Sequence, residues 1–403
     1  MDESLNSMPL ILFNTHVYPR YADDHVAPFM HDFAKLCSTF AKVVVHCPHA
    51  PGLPLQEIID GVEIRRFRYA REHKQTLAYQ GDMHKQVKKS IFKAMLFYTF
   101  LRKWKKATKK LIQELQPDIV HAHWLIPGGY ITSKAMTKQT NLYLSMHGTD
   151  VFLINKMKLA KRLARKAVQS ATSMHFVSKA LQSIITQQYG DSNRQELVLP
   201  MVFGLDNFRQ SAKEPNDTKR ILFVGRLMEV KGIDILIEAF HQLISDVQFE
   251  DWKLDIVGDG PELDSLMALS NQKGIGHLVE FHGSKQRHEI KDFYNQAELF
   301  VLASKTTSMG EKEGLGLVIL EAMMSGIPVI GTDCGGIKET IQHQKTGVIV
   351  PENDAIALHD AMVELLKNPQ KRKELIQNAH SEIDQKYSFE SLTDKMKTWY
   401  GVD

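Results

Sequence analysis

The chain has 403 residues, 43% hydrophobic and 24% charged, with a net charge of +3. That length exceeds one ordinary core, so two domains are expected, and the near-neutral balance excludes a protein whose whole surface coats a polyanion; no nucleic-acid partner is expected. The three cysteines, Cys37, Cys47 and Cys334, fit neither a disulfide framework nor a metal knuckle, which points to a reducing compartment. Met1–Asn6 is acidic and lacks a basic segment followed by an apolar one, and no apolar run approaches the roughly 20 residues of a spanning helix, so a soluble cytoplasmic protein without a signal peptide is expected.

In chain order, the short apolar runs Leu10–Phe13, Lys42–His46, Asp118–His121 and Leu142–Met146 read as buried parallel strands, with helical patterns at Val26–Cys37 and Leu159–Gln169. The irregular stretch Asp191–Arg209 and the polar segment Gln210–Lys219 interrupt the alternation and place a boundary near residues 203–219. It restarts with strands Arg220–Val224, Lys253–Val257, Leu299–Leu302 and Pro328–Gly331, and with helices Gly232–Ile244 and Gly316–Ser325. Alternating strands and helices imply right-handed crossovers and two doubly wound α/β domains, each with a parallel sheet.

Residues 65–110 are crowded with Lys and Arg, opposed only by Glu72 and Asp82. Val87, Ile91, Met95, Tyr98 and Leu101 recur there at helical spacing beside Phe92, Leu96, Phe97, Phe100 and Trp104. A basic helix with a broad apolar face suits the surface of an anionic membrane, and it equally suits packing on its own domain with a solvated basic side. Periodicity leaves both readings of residues 84–110 open.

Four segments of the C-terminal half carry chemistry. The strand Ile221–Val224 runs into Gly225 and Arg226, with Lys231 just before the next helix; two cations at a strand's carboxyl end suit a diphosphate. The strand Lys253–Val257 runs into a turn with Gly258 and Gly260 that lines a nucleotide pocket or simply reverses the chain. The third segment is Glu313–Glu321. Gly314 and Gly316 mark a helix start, and Gly326 and Pro328 its end, so free N–H groups there offer a seat for phosphate. Glu313 on the loop and Glu321 in the helix are eight residues apart, about 12 Å if helical, the length of a sugar-diphosphate-ribose unit. The fourth, Gly331–Glu339, is a strand end with a double-glycine turn bordering the same cleft. Its Cys334 reads as a packing residue, with no His beside it in sequence to activate a nucleophile.

Gly225-Arg226-Leu227, Lys231-Gly232, Gly258–Pro261, and Glu313 with Glu321 ahead of Ala322–Val329 resemble the family-4 retaining glycosyltransferases of GT-B fold. The likeness extends to Pro117–Trp124, to Met146–Asp150 as the family's histidine loop, to Leu199 through Asp206 as its crossover, and to Tyr387–Phe389 at the start of a returning tail. It implies two Rossmann-like doubly wound domains facing across a cleft: residues 1–205 on the acceptor side, 206–385 for the nucleotide-sugar, and 386–403 as a helix returning to the first domain. It further implies that Arg226 and Lys231 hold the donor diphosphate and that Glu313 holds sugar hydroxyls and Glu321 the ribose. The backbone at Gly316 and Leu317 would cap phosphate or sugar. His147 would lie beside the sugar, and the base near Gly258–Pro261 and Phe281–Gly283. The donor would be a UDP- or GDP-sugar and the acceptor a glycan or lipid-linked glycan, with no cofactor and no metal. No clear Asp-x-Asp site of the metal-dependent transferases is present.

One loop departs from the family. Many relatives carry a glycine pair after the first strand, where Thr15–Pro28 here contains Asp23 and Asp24. Two carboxylates repel phosphate, so this loop is expected to face the acceptor, with Asp24 and His25 as hydroxyl partners, or else to cap a helix. His121 and His123 sit at a strand end near the expected cleft, with one of them structural and His123 an acceptor-side candidate. The rival readings are a nucleotide-sugar epimerase or phosphorylase of the same fold, and a module without catalysis. The Glu pair argues against the epimerase, and the full set Arg226, Lys231, Glu313 and Glu321 against an inactive module.

Overall fold

Fully buried apolar runs with short polar ends pair as neighbouring strands, and they build two sheets here. The computed structural model describes every residue except 1–7, 22, 23, 25, 80–82, 84, 85, 88, 89, 137–139, 191, 192, 211–218 and 403. By internal contacts the chain divides into unit 1, Met1–Phe203 with Thr393–Asp403, and unit 2, Gly204–Leu392. The linker segment read from the sequence lies largely outside the described residues.

Unit 1 holds β1 (Leu10–Asn14), α1 (Pro28–Cys37), β2 (Lys42–Pro48), β3 (Gln56–Ile59), β4 (Val62–Phe67), α2 (Ile91–Leu115), β5 (Ile119–His123), α3 (Tyr130–Ala135), β6 (Asn141–Met146), α4 (Thr149–Lys156), α5 (Lys158–Ser170), β7 (Ser173–Phe176), α6 (Lys179–Tyr189) and β8 (Gln195–Val198). Its eight strands run in the order β3-β4-β2-β1-β5-β6-β7-β8. All neighbours are parallel except β3 and β4, an antiparallel hairpin turned at Asp60-Gly61. Ile11, Leu12 and Phe13 of the central strand are fully buried, as expected for a strand covered on both faces.

The apolar face of α2 divides in two. Phe100 and Trp104 are fully buried against Phe67, Tyr69 and Leu77, with Leu96, Phe97 and Leu101 packed partly on the same cluster. Ile91, Phe92, Met95 and Tyr98 are 62–79% exposed. No helix among the described residues is long and apolar enough to cross a membrane.

Unit 2 holds β9 (Arg220–Val224), α7 (Ile233–Leu243), β10 (Lys253–Val257), α8 (Leu263–Gln272), β11 (Val279–Gly283), α9 (Arg287–Gln296), β12 (Leu299–Leu302), α10 (Leu317–Met324), β13 (Val329–Thr332), α11 (Ile337–Thr340), β14 (Val348–Val350), α12 (Ala355–Lys367) and α13 (Pro369–Tyr387). The strand order β11-β10-β9-β12-β13-β14 reverses direction at β9 and β12. In such sheets the carboxyl ends on either side of that reversal form the ligand crevice. The last helix, α14 (Phe389–Tyr400), carries Trp399 and Tyr400 into the core of unit 1, where both are buried against Tyr143.

Candidate active site

The reversal point of unit 2 collects the four segments singled out in the sequence. Gly225 and Gly258 close the ends of β9 and β10, and the backbone stitches them together: Gly225 N–H donates to Val257 O (2.9 Å), Leu227 N–H to Asp259 O (3.0 Å) and Gly258 N–H to Gly283 O (2.9 Å). At Gly258, with φ of +145°, a Cβ would stand 1.8 Å from the Gly225 carbonyl oxygen. Only glycine permits that approach. Gly260 and Gly283 sit on the same rim, and Arg226 stands exposed on the loop after β9.

Lys231 ends a helical turn, Glu229–Lys231, just before α7. Its Nζ donates to Glu313 Oε2 at 2.6 Å, and the Ser304 hydroxyl donates to the same oxygen at 2.9 Å. Gly314 N–H approaches the other oxygen, Oε1, at 3.2 Å. The two side chains of the ion pair are 18% and 10% exposed, so water screens them little. Burial pushes the Glu313 carboxyl up, but the Lys231 charge, with hydrogen bonds from Lys231 and Ser304, outweighs it and holds the group below the usual carboxylate range.

The Glu313 loop rests on the double-glycine turn. Gly336 N–H donates to Glu313 O (3.1 Å), and a Cβ on Gly335, at φ +59°, would lie 2.0 Å from that carbonyl. Gly316 caps α10 in the left-handed region; Ile319 N–H donates to Gly316 O (2.8 Å), while the N–H groups of Leu317 and Val318 at the helix start have no i−4 partner within the helix. Four residues on, Glu321 is half-buried and accepts from the Tyr294 hydroxyl at 3.1 Å. Ser304 and Tyr294, which steady the two carboxylates, have no motif of their own; only distance in space reveals them.

A second cluster in unit 2 brings ligand atoms of Asp255, Glu280 and His282 within metal-binding distance of one another. It is already neutralised by protein cations. Arg220 Nη1 lies 2.6 Å from Asp255 Oδ1 and 3.2 Å from Glu280 Oε2, and Lys253 Nζ lies 2.6 Å from Glu280 Oε1. This is an ion-pair network tying β11 to β9 and β10.

In unit 1 the histidine loop is fixed by Asp150. Its carboxylate accepts from the backbone N–H of Leu125 (2.6 Å), Gly148 (2.9 Å) and His147 (3.2 Å). The His147 ring stacks on Trp124, centroids 4.1 Å apart, and its Nε2 lies 3.3 Å from His123 Nδ1. Trp124 adopts φ +63°, a strained setting for a residue with a side chain, held by its N–H to Ser145 O and by Gly129 N–H to its own carbonyl. Burial lowers the His147 and His123 pKa values well below the ordinary imidazole value, so both rings are neutral.

His121 and His123 are both completely buried. His121 is committed to Tyr400 and Ser145, the structural half of the pair read from the sequence. Asp24 is buried and grips Arg20 through both oxygens (2.7 and 2.9 Å), while also accepting from the Val26 N–H. That geometry suits a carboxylate that shapes the loop before α1. His25, the other acceptor-side candidate of this loop, lies outside the described residues.

The sequence pattern described as glycosyl transferases group 1 matches residues 205–382, and that of glycosyltransferase family 4 matches residues 30–202. TuaC of Bacillus subtilis, a glycosyltransferase assigned to teichuronic acid biosynthesis, is 31% identical over 71% of this chain and 72% of its own. The chain belongs to the group 1, family 4 glycosyltransferases. N-acetyl-alpha-D-glucosaminyl L-malate synthase of Bacillus anthracis is 26% identical to this glycosyltransferase over 70% of the chain and 74% of its own. Among solved structures, HepE of Anabaena in complex with UDP superposes with a TM-score of 0.72 at 18% identity, covering 98% of this chain and all of that one. The fold is GT-B.

Proposed function

We propose that this glycosyltransferase transfers a sugar with retention from a UDP- or GDP-sugar to a glycan or lipid-linked acceptor in polysaccharide synthesis, without a metal. The observation that carries the reading is the Lys231–Glu313 pair beside the open N-terminus of α10. Breaking the anomeric bond builds negative charge on the departing phosphate, and Lys231, Arg226 and the helix N–H groups around Gly316 and Leu317 are set to receive it. Glu313, kept ionised, accepts from sugar hydroxyls, and Glu321 accepts from the ribose. The rim of Gly225, Gly258, Gly260 and Gly283 takes the nucleoside. His147 serves the transferred sugar. Residues 204–392 form the donor domain and unit 1 the acceptor domain. The departing phosphate oxygen takes the acceptor's proton, so no enzyme carboxylate attacks carbon. The relatives support polysaccharide synthesis through TuaC's assignment and a uridine donor through the UDP in HepE.

A thermal-shift screen against UDP-, GDP- and ADP-sugars tests the donor reading. One class should stabilise the protein at concentrations near its dissociation constant, and indifference to all three would overturn it. The exposed stripe Ile91, Phe92, Met95 and Tyr98, followed along α2 by Arg102, Lys103, Lys105 and Lys106, supports docking of α2 on the anionic cytoplasmic leaflet. Flotation with anionic liposomes should carry the protein at low salt and release it at high salt; no flotation at low salt refutes the docking.

A further inference from the structure

At the carboxyl ends of β5, β6 and β7 the imidazoles form a hydrogen-bonded set whose proton positions can be worked out. His175 Nε2 faces the Leu199 carbonyl at 2.6 Å, so it carries the proton. Its Nδ1 is then a lone pair and accepts from the Ser145 hydroxyl at 2.7 Å. With its proton used, Ser145 Oγ accepts from His121 Nε2–H at 2.7 Å, and His121 Nδ1 accepts from the Tyr400 hydroxyl at 2.6 Å. One backbone carbonyl thus sets every tautomer along this chain.

His123 stands outside it. The ring stacks on His121 at 4.2 Å, and Nδ1 faces His147 Nε2 at 3.3 Å. Its Nε2 is buried and has no hydrogen-bond partner among the described residues, with the rings of Phe13 and Phe33 alongside. One of the two facing nitrogens must carry a proton. If it were His147 Nε2, the neutral His123 would hold its own proton on Nε2, as a buried donor with no acceptor. Orphaned buried N–H groups are rarer than under-satisfied acceptors. The opposite arrangement leaves only a lone pair at His123 Nε2 and directs His123 Nδ1–H to His147 Nε2. The His147 proton then sits on Nδ1, which has no protein partner among the described residues.

We propose that His123 is a positioning residue that fixes His147 as its Nδ1–H tautomer, so that His147 meets substrate oxygen as a hydrogen-bond donor and not as a proton acceptor. This rests on the reading of His147 as a sugar-side residue. Asp150 holds the loop, Trp124 holds the plane of the ring, and His123 sets which nitrogen carries the proton. Depressed pKa values keep both rings from becoming imidazolium. A ring that presents a proton cannot deprotonate the acceptor, so the acceptor's proton must leave by another route, as transfer to the departing phosphate provides.

The test is long-range nitrogen-proton NMR of the full chain labelled with 15N-histidine, with His147 assigned by its loss in His147→Gln. The wild type should show a protonated Nδ1 and an unprotonated Nε2 at His147. His123→Asn, whose amide can place an N–H where Nδ1 stood, should keep that signature and most of the turnover. His123→Phe should lose the single signature and about 10²-fold in kcat, the loss expected of a misdirected donor, with donor KM little changed. An unprotonated Nδ1 in the wild type overturns the proposal, and so does an unaltered His147 signature in His123→Phe. The wild-type spectrum decides even if the Phe variant does not fold. If the signature is as expected and His147→Gln retains full turnover, the tautomer assignment stands and the catalytic reading of His147 falls.

Discussion

Replacing Lys231 by Met separates what this cation does for the fold from what it does for the reaction. The pair with Glu313 is 2.6 Å long and little exposed, so removing the ammonium leaves a buried carboxylate supported, among the described residues, only by the Ser304 hydroxyl and the Gly314 N–H. Breaking a buried pair typically costs about 3–5 kcal/mol, tempered here by those two donors. The melting temperature should therefore fall, and an E313Q companion should recover part of the loss by removing the orphaned charge. For the reaction, one preorganised donor to developing negative charge is worth about 2.7–4 kcal/mol, or 10²–10³ in kcat. Because that interaction strengthens in the transition state, kcat and kcat/KM should fall together. The acid side of the pH-rate profile should also move upward. Burial pushes the Glu313 carboxyl up and Lys231 is the main force holding it below its ordinary range, so without Lys231 burial is opposed by the Ser304 and Gly314 hydrogen bonds and the carboxyl rises. The assay is coupled detection of released nucleoside diphosphate between pH 5 and 8, with S304A as the milder control at about tenfold. A K231M enzyme within about threefold of wild-type kcat would remove Lys231 from the chemistry.

Acid should unfold unit 1 before neutral-pH chemistry would suggest. Burial lowers His16 and His175 to about 4 and His46 to about 3, whereas an unfolded histidine titrates near 6.5. The unfolded chain thus takes up protons first, so the stability from these groups is complete above pH 6.5 and drains away as pH falls toward 4. The loss is about 1.4 kcal/mol per pH unit for each group, roughly 6 kcal/mol for the three at pH 5, comparable with the whole stability of a domain. Fluorescence of Trp104, Trp124 and Trp399 should report a transition between pH 6 and 4, and a flat signal to pH 4 refutes it. Asn14→Leu should cost about 3–5 kcal/mol in urea unfolding at unchanged slope. It strands the Trp104 Nε1–H (2.8 Å) and His46 Nδ1–H (2.9 Å) that Asn14 Oδ1 accepts in the core, and a loss under 1 kcal/mol would contradict that account. Gly335→Ala should lower kcat/KM about 10²-fold by pushing the Glu313 carbonyl aside, read as loss of donor-induced thermal stabilisation in a folded protein; a normal shift would clear that contact. A 2-deoxy-2-fluoro donor should leave no covalent sugar on Glu313 by peptide mass, and an adduct there would end the clamp reading.

The parts of the fold that could be read in the sequence share one property. β1, β9 and β12 are near-continuous apolar runs because both faces are covered, and β10 departs from this within the strand at Asp255, which is paired with Arg220. The strands not anticipated are mostly peripheral. β3 and β8 contain no fully buried residue and β11 only Val279, so their polar positions hide the strand signal. β7 is fully buried yet escaped notice for another reason. Its Ser173 and His175 are polar and satisfied by Gln195 O, Ser145 and Leu199 O, partners that no local pattern predicts. The site divides in the same way. Glu313, Glu321 and the glycines are spaced by one loop and one helix, so their relation is local. Lys231 meets Glu313 across 82 residues, and Gly335 reaches the Glu313 carbonyl by a turn packed on its loop, so these residues could be singled out in the sequence but their contacts could not.

How Glu313 is held decides what it can do. A carboxylate that attacks an anomeric carbon needs an oxygen with its charge unspent. Here Oε2 is occupied by both an ammonium and a hydroxyl, while Oε1 accepts, among the described residues, only from the Gly314 N–H at 3.2 Å. The neutralised pair is a poor nucleophile, but Oε1 can still accept from hydroxyls. The Lys231 Cε that carries this ammonium lies 3.9 Å from where a Cβ on Gly225 would stand, at the strand end that the diphosphate should approach. Lys231 therefore links two tasks through one charge: it keeps the sugar clamp ionised, and it waits at the position where the leaving group's charge appears. A site assembled this way before any ligand arrives needs little reorganisation during transfer, and this is the condition under which fixed charges accelerate a reaction most.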